Sequence, residues 1–570
     1  MQAVEMSSAA CHATSLRRCG KSFCSRWWQS SGYHGTSTTA ANQHPQCSTV
    51  AAPPTASILQ TPQMGVLLTR DFIARSLYSQ DTGYFATKDV INDLPGPLEF
   101  GSMMGELHYR MDVKQAYESR LSAWMTPVET FSPHFSNALA KYIARETKKA
   151  ASPTEGRSGS TPDQQIKRSF SRAARGGGGG QPLVLYEAGG GTGTNALNLL
   201  NWLKREEPKL YERTEYTIIE ISERLADRQM ERVCAVHQNC QVVNANVLEW
   251  GMSGEVDPRP CFFLGMELLD NLPHDKIVWT APTVEGTLDS DAPSPRSSSS
   301  VGGGSRREEL CETVVLETPT GFREAFRPLR DPAIRELLTF CPDLAAMVKS
   351  RGQTAASHSA STGEEHAGNF LGKSMFAGLF GISLPPDHRA AFVPTGSLRL
   401  LQALRQRLPR HRTILADFDT FSGSDAEAGA TETMGGGAGT GEGGGGSDES
   451  LTAFQAPIVS SRDPSTGTVT DHATYMVPLG SADIFFPTCF RRLSWLHAAV
   501  CSRDGGGGGG VVGEVRRGRG LVVKQGEFMQ EYADLRATRT FSGYNPLVDD
   551  FRNSSMFLSG AIAPEKEGCC

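Results

Sequence analysis

No run of 18 apolar residues occurs in the 570-residue chain, so no helix that crosses a membrane is expected. No basic excess is present either. Lys and Arg number 56 against 62 Asp and Glu, a formal net charge of −6, which removes any broad electrostatic case for nucleic acid. None of the 13 cysteines forms a C-x-x-C pair. Cys234 and Cys240, the closest pair between the chain ends, have no histidine cluster to complete a zinc site, so no metal centre is expected and the thiols read as buried or reduced. G-x-S-x-G, P-loop, H-E-x-x-H and EF-hand patterns are also missing, which excludes the local signatures of those hydrolase, nucleotide and metal chemistries.

Acids are scarce at the start of the chain. Residues 1–50 carry Arg17, Arg18, Lys21 and Arg26 against one acid, Glu5, and are rich in Ser and Thr. They lack the apolar stretch of a secretory signal, so the composition is that of an organelle transit peptide, with the mitochondrion preferred over the chloroplast. Segments near 151–181, 282–307, 350–368, 422–450 and 503–516 are rich in Gly, Ser or charge. Such stretches bury too little apolar surface to offset their ordering entropy and read as linkers or disordered insertions. The expected organisation is a disordered leader over 1–50, a helical N-terminal cap over 66–150, and a domain over 182–560 interrupted by those insertions.

What is present alternates between strands and helices. Residues 183–187, 216–220, 241–244, 261–266 and 413–418 read as short buried strands, with weaker candidates at Tyr475–Pro478 and Leu521–Lys524. Helical spacing covers Thr194–Lys204, Pro332–Phe340 with Asp331 as its cap, a second helix from Pro342 to Lys349, and Gly396–Leu408. Ser222 is placed to cap a helix running to about Val236. The alternation predicts an α/β fold with a doubly wound parallel sheet, whose ligands sit at the carboxyl ends of the strands. Thr69–Ser79 and Phe135–Glu146 also have helical spacing and are placed to cover that cleft.

The acids and glycines cluster at those carboxyl ends. Leu183-Val-Leu-Tyr-Glu187-Ala-Gly189-Gly-Gly191-Thr-Gly193 is a strand running into a tight glycine loop at a helix N-terminus. Glu187 beside the loop disfavours a pyrophosphate and suits a cationic ligand such as S-adenosylmethionine. The same loop satisfies G-x-G-x-x-A through Gly191, Gly193 and Ala196, which keeps a nicotinamide dinucleotide open as an alternative. Glu220, ending the second strand, suits bonding to a ribose diol, and Asn246 is placed to touch an adenine edge. Met266-Glu267-Leu-Leu-Asp270-Asn-Leu-Pro-His274-Asp275 faces the reactive end of the cofactor. Glu267 and Asp270 are candidates to hold a guanidinium or amine, and His274 or Asp275 to act as a base. Asp417 and Asp419 add an acidic pair at the same edge.

These residues together resemble the MidA-like methyltransferases. The resemblance rests on Glu187-x-Gly-x-Gly-x-Gly193, on Tyr216-Thr-Ile-Ile-Glu220-Ile-Ser222-Glu-Arg-Leu225 with Gln229, and on Glu267-Leu-Leu-Asp270-Asn-Leu-Pro273. Outside the core, Phe72–Phe85 with Gly83-Tyr84-Phe85, Thr126-Pro127-Val-Glu129-Thr-Phe-Ser132-Pro133 and Gly480-Ser-Ala482-Asp483-Ile484 extend it over roughly 66–560. It departs from the family pattern at Met266, Asn271 and Asn246. The resemblance implies a class I methyltransferase fold with S-adenosyl-L-methionine as cofactor. It also implies symmetric dimethylation of an arginine on a protein substrate, a complex I subunit, in the mitochondrial matrix. A non-catalytic assembly chaperone with the same fold is the second reading, and an NAD-dependent oxidoreductase the third.

Overall fold

The computed structural model describes residues 65–88, 90–91, 94, 96–119, 124–151, 182–283, 308–350, 390–420, 456–463, 465–501 and 520–560. The leader over 1–50 and nearly all of the five expected insertions lie outside the described residues. Seven strands build the centre, the inner ones buried on both faces and the edge strands at either side partly exposed. They are β2 (Leu183–Ala188), β3 (Thr214–Glu220), β4 (Cys240–Asn244), β5 (Cys261–Met266), β10 (His411–Phe418), β14 (Gly520–Lys524) and β15 (Ser554–Ser559). Their order across the sheet is β14-β15-β10-β5-β2-β3-β4. From β4 to β10 every pairing is parallel, while β15 runs antiparallel to both β10 and β14. This is the doubly wound arrangement that the alternation predicts. The chain winds outward from β2 to β4 and then returns past β2 to β5, so the winding reverses between β2 and β5. A ligand crevice opens beyond the carboxyl ends of those two strands.

Successive strand residues point to opposite faces. Leu183, Leu185, Phe262, Leu264 and Ile414 enter one core, with Leu199, Leu200 and Leu203 of the helix Thr194–Glu206 and Leu139 and Ile143 of the helix His134–Ala151. Val184, Tyr186, Cys261, Phe263 and Leu415 enter the other, with Leu398, Leu401 and Leu404 of the helix Thr395–Arg407 and Leu493 and Leu496 of the helix Phe490–Cys501. Double burial is why these strands read as continuous apolar runs.

Two smaller sheets are inserted into this frame. One has the order β1-β7-β6-β9, from β1 (Val66–Leu68), β6 (Asp275–Thr280), β7 (Glu309–Thr318) and β9 (Ala390–Val393), with β8 (Gly321–Pro328) paired to β7. The other joins β11 (Ile458–Arg462) to β12 (Val469–Asp471) and β13 (Asp483–Phe485). The helix Thr69–Tyr78 packs Phe72, Ile73 and Leu77 into a core shared with Val315, Val459 and Ile484 of these sheets and with Phe486 just after β13.

A buried ion network holds that helix down. The Arg70 guanidinium donates to Asp275 (2.7 Å) and as a fork to both oxygens of Asp331 (2.8 and 2.6 Å), and Thr395 donates its hydroxyl to Asp275 (2.7 Å). Arg70→Met removes the cation and leaves two buried carboxylates facing each other. We expect it to cost about 3–5 kcal/mol of stability, read from urea unfolding. A loss below about 1 kcal/mol, the size of an exposed pair, would show that the network contributes little to holding the helix.

Some expectations are corrected here. Tyr475–Pro478 is irregular rather than a strand. Pro478 lacks an N–H for a ladder, the chain turns at Gly480 (φ 70°), and the Tyr475 hydroxyl donates to Glu324 (2.7 Å). Ser222 stands at the N-cap of the helix Glu223–Gln229, but its side chain makes no capping bond, and residues Met230–Cys234 continue as a π turn. The helix His134–Ala151 does not cover the crevice. Its apolar face packs on the helix Thr194–Glu206, and of the two helices Thr69–Tyr78 is the one that reaches over the opening.

Candidate functional site

β2 ends at Ala188 and the chain turns through Gly189-Gly-Gly191-Thr-Gly193 into the helix Thr194–Glu206. Gly193 caps that helix at φ 83°, and a Cβ there would stand 2.8 Å from Val233 Cγ2. Gly191 has φ 54°, and a Cβ would stand 3.0 Å from Ile91 Cδ1 at the cleft wall. A side chain at either position would be both strained and crowded. Gln229 ties the loop to the second strand: its Nε2 donates to the Gly191 carbonyl (2.8 Å) and to Glu220 Oε2 (3.0 Å). The Ser222 N–H donates to the other Glu220 oxygen (3.0 Å). Burial pushes the Glu220 carboxyl up to about 7.

Two adjoining clefts open here. One, about 200 Å³, is lined by Gly189, Gly191, Glu220, Asn246, Leu248 and Glu267 and roofed by Arg70, Ala74 and Tyr78. The other, about 310 Å³, is lined by Glu129, Glu187, Glu267, Asp270 and Asp483, with Trp124 and Phe485. Gly189, Gly191, Glu267 and Asn271 belong to both. None of the residues lining the second cleft is Lys, Arg or His.

Among the described residues, five carboxyl groups therefore converge with no cation in the lining. Glu187 is buried and accepts from Asn195 Nδ2 and the Tyr216 hydroxyl, both at 2.8 Å. Glu129 accepts the hydroxyls of Thr192 (2.5 Å) and Thr194 (2.9 Å), which fixes it beside the glycine loop. Asp483 accepts from Asn271 Nδ2 (2.8 Å), and burial, reinforced by Asp270, pushes it up to about 8. Burial also raises Glu267 and Asp270, and Asp270 and Glu129 add repulsion at Glu267. Glu267 Oε1 and Asp270 Oδ1 are buried with no hydrogen-bond partner. Unmatched buried acceptors of this kind are costly unless a cationic or donor ligand meets them.

Glu267 is also, among the described residues, the one non-glycine with positive φ, at 50°. Such a conformation costs on the order of 1–3 kcal/mol and persists only where neighbours impose it. Here the neighbours are on β10. The Glu267 N–H donates to the Ala416 carbonyl (2.8 Å), and Asp417 Oδ2 accepts from the N–H groups of Leu269 (2.8 Å) and Asp270 (3.1 Å). Asp417 thus shapes the loop, while Asp419 pairs with Lys524 and Ser555 away from it.

Most of the residues expected from the sequence meet at these clefts, with exceptions. Gly193 lies behind the loop as the helix cap. Asn246 lines the smaller cleft, but its side-chain oxygen is engaged as an N-cap, accepting from the Leu248 N–H (3.0 Å). His274 lines neither cleft. Its Nδ1 donates to the Leu272 carbonyl (2.8 Å), and its ring stacks on Phe486 with centroids 3.9 Å apart. Burial depresses it to about 4, so it is a neutral packing residue, not a base at this site. Asp275 is consumed by Arg70. Glu129, Asp483 and Tyr78 were not singled out as site residues, although all three sit in segments that carried the resemblance. The Tyr78 hydroxyl donates to the Asn271 carbonyl (2.8 Å) and closes the roof.

Residues 168–506 match the model of a family described as "Putative S-adenosyl-L-methionine-dependent methyltransferase". The chain belongs to this methyltransferase family. Its cofactor is accordingly S-adenosyl-L-methionine, and the dinucleotide alternative is set aside. The donor set fits a sulfonium cofactor: unmatched buried acceptors, no competing cation among the described residues that line the larger cleft, and an acid at the end of β3. Among solved structures, a superfamily member from Burkholderia thailandensis bound to S-adenosyl-homocysteine is 14% identical (TM-score 0.43) over 88% of this chain and 89% of that one. A native form from the same organism is 13% identical (TM-score 0.40) with the same coverage. The CcbJ methyltransferase of Streptomyces caelestis is 11% identical (TM-score 0.23) over 75% of this chain and 99% of that one. No curated protein matches the sequence.

If cationic ligands are what the acids serve, pH should show it. Glu220 and Asp483 sit near 7 and 8 in the folded chain but near 4 when unfolded. Between about pH 4 and 8 the folded state therefore holds more protons than the unfolded state. Stability of the ligand-free protein should fall as pH rises through that window, by at most about 1.4 kcal/mol per pH unit for each group. The affinity for S-adenosylmethionine should rise over the same window. Thermal melts of the wild type and of Glu220→Gln with Asp483→Asn check this: the double variant should have a visibly flatter pH profile, and an unchanged slope would refute it.

Proposed function

We propose that this methyltransferase acts on a protein arginine and dimethylates it symmetrically. The observation that carries the reading is the larger cleft: five carboxyl groups, two of them with unmatched buried oxygens, and no basic side chain among the described residues of its lining. An arginine side chain stays protonated in water and presents a planar fork of donors, which matches paired carboxylates. Glu220 would hold the cofactor's ribose, the glycine loop its amino-acid end, and the smaller cleft its adenine. When bound, the cofactor supplies an electrophilic methyl group. Glu267 and Asp270 orient the guanidinium nitrogen towards it, so catalysis is mostly positioning. Asp270 or Asp483, poised near neutrality by burial, takes the proton that the nitrogen releases.

The composition of residues 1–50 and the sequence resemblance support placing this reaction in the mitochondrial matrix, on a subunit of complex I. The test is transfer of labelled methyl groups to matrix proteins, with and without the purified chain, read by mass spectrometry. Label on arginine ω-nitrogens in symmetric pairs is the expected result. Label on lysine, or none with competent S-adenosylmethionine binding, refutes the arginine reading. If such an inactive chain still supported complex assembly, the chaperone reading would take its place.

A further inference from the structure

The far end of the central sheet carries a cluster that the methyl-transfer chemistry does not use. His411 opens β10, whereas the acids and Ala416–Phe418 lie at its other end, roughly 20 Å away at strand rise. On the helix Phe490–Cys501, His497 and Cys501 are four residues apart and share one face. The helix packs over the sheet so that one ligand atom from each of His411, His497 and Cys501 lies within 4.8 Å of the others. The pairing could not be read from the sequence, since His411 and His497 are far apart in the chain and no local motif joins them.

Three details favour a ligand set over packing. Cys501 Sγ and His497 Nε2 are 3.7 Å apart. A tetrahedral zinc with Zn–S of about 2.3 Å and Zn–N of about 2.0–2.1 Å has an S···N edge of about 3.5 Å. His411 Nδ1 lies 2.6 Å from the Leu408 carbonyl, which can only accept, so the proton is on Nδ1 and the lone pair on Nε2. That bond orients the ring in the way a carbonyl behind a metal-bound histidine does. Nε2 itself is buried with no hydrogen-bond partner, a cost that a metal ion would remove.

We propose that His411, His497 and Cys501 form a zinc site at the end of the sheet opposite the cofactor cleft, with water in the fourth position. Two imidazoles and a thiolate suit zinc among the common divalent ions. On binding, the Cys501 thiol releases its proton to solvent and the sulfur bonds the metal. The ion would staple the helix Phe490–Cys501 to the start of β10 and contribute to folding without touching the methyl acceptor.

Dialysed wild-type protein should retain about one zinc per chain by elemental analysis, and X-ray absorption should show one sulfur and two imidazole neighbours. Cobalt replacing zinc should give a thiolate charge-transfer band. The chain has 13 cysteines, so Cys501→Ser is the control: the band should vanish and zinc affinity fall by on the order of a hundredfold, with S-adenosylmethionine binding intact as the check on folding. Zinc-free protein that takes up no cobalt, or a band that persists in Cys501→Ser, overturns the proposal. Should Cys501→Ser fail to fold, the absorption spectrum of the wild type decides alone, and a shell without sulfur overturns it.

Discussion

Asp270→Asn is expected to lower the rate of methyl transfer by ~10²–10³ while S-adenosylmethionine affinity changes only a few-fold. Asp270 lines only the larger cleft, and its Oδ1 has no partner inside the protein. The amide keeps the shape but loses the charge that holds a guanidinium and accepts its proton. Stability should move the other way. Burial disfavours the ionised carboxyl, so the amide should leave the unfolding temperature of the ligand-free protein unchanged or higher. Loss of activity with gain of stability is the signature of a group kept for function. Single-turnover methylation, calorimetric cofactor binding and a thermal melt together read it. Full activity in Asp270→Asn would remove this residue from the chemistry, and the same result in Glu267→Gln would remove the acidic cleft altogether.

Gly191→Val should abolish measurable S-adenosylmethionine binding, a weakening of at least about a hundredfold. A branched side chain is strongly disfavoured at φ 54°, and its Cβ would press against Ile91 where the two clefts meet. Glu220→Ala tests the other side of the same pocket. Losing two charged hydrogen bonds to a ribose diol, each worth about 1.5–3 kcal/mol, would weaken binding by about a hundredfold or more. Isothermal titration calorimetry measures both, with far-ultraviolet circular dichroism to confirm the fold. Wild-type affinity in both variants would mean that the cofactor binds elsewhere.

The central sheet was legible because its inner strands are buried on both faces. Leu183-Val-Leu-Tyr and Cys261-Phe-Phe-Leu read as apolar runs closed by an acid or glycine. The smaller antiparallel sheets were not read. β8, Gly321-Phe-Arg-Glu-Ala-Phe-Arg-Pro328, alternates weakly between apolar and polar residues, and β6, β7 and β9 are separated by long polar stretches that broke the pattern. Those sheets hold the helix Thr69–Tyr78 over the cleft and, through β13, deliver Asp483 to it. His274 was misjudged for a related reason: a histidine four residues after an acid can face the ligand or turn behind the loop, and only the stacking partner Phe486 decides which.

Local order along the chain was enough to establish the glycine loop and the acids at the ends of β2 and β3 and just after β5, and it favoured S-adenosylmethionine over a dinucleotide. Each of these depends on residues adjacent in sequence, where strand and helix periodicity set direction. Distant segments had to be packed together before Glu129 and Asp483 could join Glu267 and Asp270 in one acidic cleft, and before His411 could meet His497 and Cys501. Chain order does not encode the burial that leaves a carboxylate or an imidazole nitrogen without a partner, because burial is a property of the assembled core.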